Sequence, residues 1–440
     1  MLLNMEQKQV FKNASWIIVC KIIQSLIQLI IGMVSARYLG PSNYGIISYA
    51  ASIIAFALPL MKLGLDAILV NEYVESPEKE GEILGTSLLL NVVSSVACMI
   101  GVTTFALIDN VDEKVVVFTC ALYSLSVFFA AFEMIQFWFQ YKLLSKISSI
   151  VSLVAYFFVS LYKLFLLILG KGVYWFAVSH SIEYGIIGFM LLFFYFKNGG
   201  QKLSFSVFRM KKLLNKSKHY ILAALMVVII QNTDHIMLTS IKGAAENGYY
   251  SAAITSAAVV QFVFTAIIDS FRPMIFSAKK VSVFEYEKNI SKLYGIVIYL
   301  AFSQSIVFTI FSPLIINLLY GADYLPAIPI LQILTWYVAF SYMGTIRNIW
   351  LLSEEKQKYL LIINCFGIVI NILLNMLMIP LWGACGAAVA SLLTQMLMNF
   401  VFGFIFKPIR RNNELLLRGL NVRFIVTEVK SIVNEICKKG

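Results

Sequence analysis

Twelve uninterrupted apolar runs, each long enough to cross a bilayer, constrain this chain more than any other feature. They fall roughly at 16–35, 46–68, 84–108, 115–138, 147–169, 173–196, 220–241, 249–275, 293–319, 327–352, 359–380 and 383–406. A helix needs about 20 apolar residues to cross about 30 Å of hydrocarbon. Lipid offers no hydrogen-bonding partner to an open backbone, so each run predicts a helix. The runs are continuous rather than alternating, which excludes a β-barrel. Composition agrees: 13% of residues are charged and 60% hydrophobic, whereas soluble domains carry about 25% charge. The first run lacks a small-residue cleavage site and continues into a Gly-Pro turn and a second run, so it reads as a span and not a leader. The six cysteines, Cys20, Cys98, Cys120, Cys365, Cys385 and Cys437, have neither metal-ligand spacing nor the pattern of a disulfide framework. The expected fold class is an all-α integral membrane protein of about 12 transmembrane helices.

Twelve spans place both termini on one side. That side then receives 26 of the 35 Lys and Arg, and the other receives only Arg37, Lys114, Lys171 and Lys242. Positive residues favour the cytoplasm, so both termini are expected there. One loop on that side is acidic: 69–82 carries Glu72, Glu75, Glu78, Glu80 and Glu82 against Lys79 alone. Acids count little in this rule, so the orientation stands. The net charge of +12 reads as a belt facing anionic lipid and not as a nucleic-acid surface.

The largest internal polar segment, 197–219, carries Lys197, Lys202, Arg209, Lys211, Lys212, Lys216 and Lys218 and separates six spans from six. Its apolar residues Phe205, Phe208, Leu213 and Leu214 would let it lie on the membrane surface. The predicted organisation is an N-terminal six-helix bundle (1–196), a basic cytoplasmic linker (197–219), a C-terminal six-helix bundle (220–406) and a basic amphipathic cytoplasmic tail (407–440). In that tail, residues from Val422 to Ile436 place apolar side chains on one helical face. The halves also look like repeats. Gly40 to Ala50 and Gly243 to Ala253 share the pattern G-x4-G-x2-S-x-A at an offset of 203. Gly172, Ala177 and Val178 echo Gly383, Ala388 and Val389. Transporters commonly arise from such repeats.

Ionisable residues inside spans are costly and mark packed interiors or water-filled paths. The cations are Lys21, Lys62, Lys163, Arg272 and Arg347. The acids are Asp66, Glu133, Glu183, Asp234 and Asp269, with His180 and His235 beside them. Lys62 with Asp66, and Asp269 with Arg272, are spaced to pair on one helix. Lys21, Lys163 and Arg347 have no acid within four residues and need another helix, water or an anionic ligand. Gln24 and Gln28 share a face with Lys21. Asp234 stands beside Gln231, and Asn364, Asn371 and Asn375 share a face of span eleven. There is no P-loop, no G-x-S-x-G nucleophile and no His/Cys metal set, so neither catalysis, a metal nor a cofactor is expected.

The segment from Ser35 through Ala36, Arg37, Tyr38, Leu39, Gly40, Pro41, Ser42, Asn43 and Tyr44 to Gly45 resembles the first extracytoplasmic turn of Wzx-type polysaccharide flippases. These belong to the MATE-like superfamily of multidrug, oligosaccharidyl-lipid and polysaccharide exporters. Asp234 to Leu238, followed by Gly248 to Ala253, resembles that family's seventh span and turn. Asn371, Asn375, Pro380 and Gly383 to Ala388 resemble its last two spans. The related lipid II flippases usually have fourteen spans. The resemblance implies a V-shaped pair of six-helix bundles around a central cavity in a bacterial cytoplasmic membrane. It implies an undecaprenyl-pyrophosphate-linked oligosaccharide as cargo, flipped by alternating access to the outer leaflet for surface polysaccharide such as O-antigen. A polymerase and chain-length proteins would be partners.

Under that resemblance the expected cavity residues are Lys21, Gln24, Gln28, Lys62, Glu133, Lys163, Arg272 and Arg347. Arg suits a pyrophosphate through its planar fork and Lys acts as a point charge. Asp234, Asn371 and Asn375 are the expected site for a coupling Na+ or H+. Two other readings compete: a MATE-type cation-coupled drug exporter, and a membrane glycan polymerase or ligase. The loops on the side away from the termini are too short for the second.

Overall fold

A helix in lipid keeps its polar backbone internal, so this chain interrupts its helices chiefly where glycine or proline intervenes. The computed structural model describes residues 5–424 of the 440, and side-chain placement is described for Trp16 and from Cys20 onward. Among the described residues there is no strand. The helices, in order, are α1 (Met5–Lys62), α2 (Leu69–Glu75), α3 (Glu80–Asp109), α4 (Lys114–Ala130), α5 (Ile135–Tyr141), α6 (Ser145–Ile168), α7 (Val173–Lys197), α8 (Val207–Lys242), α9 (Ala244–Ala257), α10 (Gln261–Val281), α11 (Val283–Tyr320), α12 (Ala327–Ser353), α13 (Gln357–Met396), α14 (Phe402–Ile405) and α15 (Arg410–Gly419).

Among the described residues nine helical stretches are long and apolar enough to span a membrane, and the pair α9 and α10, bent by 47°, makes ten. Two of the ten are of double length. Gly40 breaks α1 (φ 72°, ψ 170°) and Gly383 breaks α13 (φ 56°, ψ −132°). Dividing each at its break yields the twelve spans that the apolar runs predict. The protein is an all-α, multi-pass membrane protein with about twelve spans.

One local expectation fails. Lys62 and Asp66 do not pair along a helix, because α1 ends at Lys62. Leu63 (φ 52°) and Gly64 (φ 67°) turn the chain left-handed, and Asp66 falls in the short 3-10 turn Leu65–Ala67.

The chain divides into two compact units, Met1–Gly248 and Tyr249–Gly440. In the first, α8 runs along α1, α4 packs on α7, and α6 on both α1 and α7. One core cluster gathers Tyr49, Met61, Cys120, Val127 and Ala130. Another gathers Leu69, Tyr73, Trp138, Phe139 and Tyr195. In the second unit α11, α12 and α13 pack in succession, and α15 lies on α11. Large exposed apolar residues such as Ile100, Phe189, Leu314 and Leu377 suit a surface solvated by acyl chains.

The repeated motifs, the second as far as Gly248, meet inside the first unit. Gly40 (φ 72°, ψ 170°) and Gly243 (φ 91°, ψ 172°) share one left-handed conformation that side chains disfavour. Five residues on in each copy, Gly45 and Gly248 let backbones touch. A Cβ on Gly45 would lie 1.7 Å from the Ala244 carbonyl oxygen, and one on Gly248 would lie 1.9 Å from that of Pro41. Asn247 Nδ2 donates to Gly45 O at 2.9 Å. Small residues that admit close backbone approach are how helices pack in lipid, where no hydrophobic force drives them together.

Most of the amphipathic segment expected between Val422 and Ile436 lies outside the described residues.

Candidate functional site

The acidic loop, the one segment that sat awkwardly in the charge count, pairs through Glu72, Glu75 and Glu82 with cations of the basic linker. Residues 201–206 run without helix beside the start of α3. Ser204 N donates to Gly81 O at 3.1 Å and Ser206 N to Thr86 Oγ1 at 3.2 Å. This delivers the first turns of α8 to α2. Glu72, only 1% exposed, accepts from Arg209 at 3.3 Å, from Lys212 at 3.0 Å, and from Lys216. Arg209 also donates to Glu82 at 3.3 Å, and Lys216 to Glu75 at 2.9 Å. Burial opposes ionisation of Glu72, but hydrogen bonds from Lys216 and Lys212 outweigh it and hold its carboxyl below the usual carboxylate range. Lys216 is shifted up by its hydrogen bonds to Glu72 and Glu75. Close by, Glu80 takes hydrogen bonds from Trp138 Nε1 at 2.7 Å and from Lys142.

Lys21 and Gln24, on α1, line a polar pocket of about 310 Å³ with α5 and α6. From α5 come Gln136, Phe137 and Gln140; from α6 come Ser145, Ser148, Ser149 and Ser152. The serines stand one helical turn apart, so one face of α6 presents hydroxyls. Gln28, further along α1, is exposed. The sequence reading missed the α5 and α6 residues. Their signal is the spacing of Gln136 to Gln140 and of Ser145 through Ser152, but spacing alone does not say what a stripe faces.

Deeper in the same unit, Lys62 pairs with Glu133 at 3.3 Å, each side chain 23% exposed. Lys163 lies within electrostatic reach of Glu183. His180 Nδ1 stands 3.8 Å from Glu183 Oε2, and its ring stacks on Tyr123 with centroids 4.5 Å apart. Two of the predicted cavity cations thus have acidic neighbours from other spans.

In the second unit, Arg347 of α12 is 4% exposed. Its Nη1 donates to Met398 O at 2.7 Å and to Asn399 Oδ1 at 2.8 Å, and Nη2 donates to Asn348 Oδ1 at 3.2 Å. The acceptors Met398 and Asn399 sit in a π-helical turn, Leu397–Val401. Asn399 Nδ2 also donates to Phe340 O at 3.0 Å. Arg272 pairs with Asp269 at 3.1 Å on its own helix, as their spacing predicts, with both side chains about half exposed.

Asp234 is 4% exposed and belongs to the first unit. The adjacent His235 Nδ1 lies 2.7 Å from Asn247 Oδ1. Asn371 and Asn375 belong to the second unit, where Asn375 Nδ2 donates to Asn371 Oδ1 at 3.1 Å and Asn371 Nδ2 to Ser391 Oγ at 3.3 Å. Among the described residues no cluster of His, Cys, Asp and Glu is arranged to hold a metal.

A family model described as "Polysaccharide biosynthesis protein" matches residues 10–279. No curated protein matches in sequence. Several solved structures share the fold. One is an inward-facing multidrug resistance MATE family transporter of the MOP superfamily, 15% identical, covering 89% of this chain and 95% of that one with a TM-score of 0.67. Another is the lipid II flippase MurJ in an inward closed conformation, 13% identical, covering 94% and 92% with a TM-score of 0.66. A third is a MOP superfamily transporter from Pyrococcus furiosus, 14% identical, covering 92% and 95% with a TM-score of 0.58.

Proposed function

We propose, from the premise that this chain belongs to the polysaccharide biosynthesis protein family, that it flips a lipid-linked oligosaccharide across a bacterial cytoplasmic membrane. The cargo is an undecaprenyl-pyrophosphate-linked repeat unit, carried from the cytoplasmic to the outer leaflet by alternating access. Both termini are cytoplasmic, and a polymerase with its chain-length proteins takes the product. The observation that carries this reading is the family match over residues 10–279 on a fold that MurJ also has.

The geometry supports some of the expected contacts more than others. Lys21, Gln24 and Gln28 offer an ammonium and two amides at the start of the first span, where a head group arriving from the cytoplasm would meet them. Lys62 with Glu133, Lys163 near Glu183, and Arg272 with Asp269 offer paired charges suited to hydroxyls more than to a bare pyrophosphate. The Arg347 guanidinium is largely occupied by protein oxygens, which supports a strut holding the π-helical turn. Asp234 of the first unit remains our proposed coupling group for Na+ or H+, and Asn371 with Asn375 is a separate polar pair of the second unit that we propose as a further candidate.

The test is leaflet-resolved detection of lipid-linked repeat units in cells depleted of the protein. Accumulation on the cytoplasmic leaflet, rescued by the wild-type gene, is expected. Lys21→Ala should rescue about ten- to a hundredfold less well, since a charge-assisted contact contributes about 1.5–3 kcal/mol. Asp234→Asn should remove any dependence on an ion gradient. Normal surface polysaccharide without the protein overturns the reading.

A further inference from the structure

The pocket between α1, α5 and α6 holds more recognition chemistry than the packing of three helices requires. Ser148 and Ser149 both donate to Ser145 O, at 3.0 and 2.9 Å, and Ser152 donates to Ser148 O at 3.1 Å. Each hydroxyl has therefore spent its proton and turns lone pairs outward. Gln24, Gln136 and Gln140 make no hydrogen bond to the protein among the described residues, so each amide has two donors and a carbonyl to offer. Lys21 has no carboxylate within ion-pair distance among the described residues. Phe137 adds one apolar wall.

Unpaired polar groups at a bilayer boundary must be satisfied by water or by a ligand. A volume of about 310 Å³ lies at the small end of ligand pockets, which run from about 300 to 1,000 Å³. Acceptors, bidirectional amides and a ring face together suit a polyol, whose hydroxyls both donate and accept while its C–H face is apolar. The Lys21 ammonium at the rim suits one negative charge, and Lys146 adds a second cation within electrostatic reach of Cys20 in the same lining.

We propose that this pocket binds a single polyhydroxylated group bearing a negative charge. Resting on the flippase reading, this makes it a subsite for an acidic or phosphorylated sugar of the cargo. The same chemistry occurs in the glycerol phosphate head group of phosphatidylglycerol, and the experiment separates the two sources.

The full chain is placed in phosphatidylcholine nanodiscs and titrated with radiolabelled glucose 1-phosphate. Saturable binding is expected, with unlabelled glucose and inorganic phosphate competing at least about tenfold more weakly, because each lacks half of the recognition set. Lys21→Gln should weaken binding about tenfold and erase the preference over glucose. Ser152→Leu, which fills the pocket, should reduce binding to background. Gln140→Leu, at the exposed rim, provides a second variant if Ser152→Leu does not fold. Repeating the titration with phosphatidylglycerol in the disc assigns the source: competition assigns the lipid head group, and its absence assigns the cargo sugar. Two results overturn the proposal: inorganic phosphate competing as well as the sugar phosphate, or undiminished binding in a folded pocket-filling variant. If binding fails while repeat units still reach the outer leaflet, this inference falls and the flippase reading stands. If binding holds and depletion leaves surface polysaccharide intact, the flippase reading falls and the pocket stands.

Discussion

Arg209 and Arg347 are both 4% exposed, yet they are buried in opposite ways. Arg209 sits where α8 meets α2, and carboxylates from Glu72 and Glu82 answer its charge. Arg347 sits within a span and is answered by a backbone carbonyl and two amide oxygens. The first is a neutralised ion-pair network whose partners lie more than 120 residues away in sequence. The second is a cation solvated by protein dipoles, with its charge uncompensated by any carboxylate in ion-pair distance among the described residues. Removing one partner of a buried ion pair strands the other charge, whereas removing a solitary intramembrane charge also relieves an insertion penalty. Equal burial therefore does not mean equal contribution to stability.

The largest effect is expected from Arg209→Leu. It leaves Glu72 buried with only its two lysines, and should cost about 3 kcal/mol. Thermal unfolding in detergent reads this directly, and limited proteolysis should open near residues 197–206, where the linker loses its anchor. An unchanged melting curve would mean that Lys212 and Lys216 suffice. Next comes acid sensitivity. The Glu72 carboxyl lies lower in the folded protein than in the unfolded chain. Its contribution is thus present above the unfolded value of about 4.3 and disappears as pH falls through the folded one. Lys216 is shifted up, so its contribution is present below about 10.4 and disappears as pH rises through its folded value. Proteolytic protection of the linker should therefore hold across neutral pH and fail in acid and in strong base. Glu72→Gln should remove most of the acid limb. The smallest effect is expected from Arg347→Met. Its three lost hydrogen bonds contribute about 1.5 kcal/mol each, at the low end because every acceptor is neutral, and relief of a centre-of-span charge offsets about 2.5–3.5 kcal/mol. A net loss of about 1–2 kcal/mol should follow. A loss as large as that of Arg209→Leu would show that the two sites are equivalent after all.

The sequence by itself determined the solvent, the helical class and the number of spans. Those properties follow from the length and continuity of apolar runs, which are local. It also located the breaks, because Gly40 and Gly383 stand where Gly and Pro mark the chain, and its motifs around Gly45, Asp234 and Gly383 pointed toward the polysaccharide biosynthesis protein family that matches residues 10–279. The Asp269–Arg272 pair was legible for the same reason: its partners lie one turn apart. What only the tertiary structure decided was who faces whom across distance. Helical periodicity places Ser145, Ser148, Ser149 and Ser152 on one face. It does not say that Lys21, more than a hundred residues earlier, shares their pocket. Among the glutamates of 69–82, Glu72, Glu75 and Glu82 looked anomalous in a loop expected to be basic until the linker's cations closed on them. Lys62 took Glu133 as its partner in place of nearby Asp66, because a left-handed turn at Leu63 and Gly64 ended the helix first. Charge and periodicity are properties of a segment, but pairing depends on packing, and packing brings together residues whose order along the chain carries no record of the meeting.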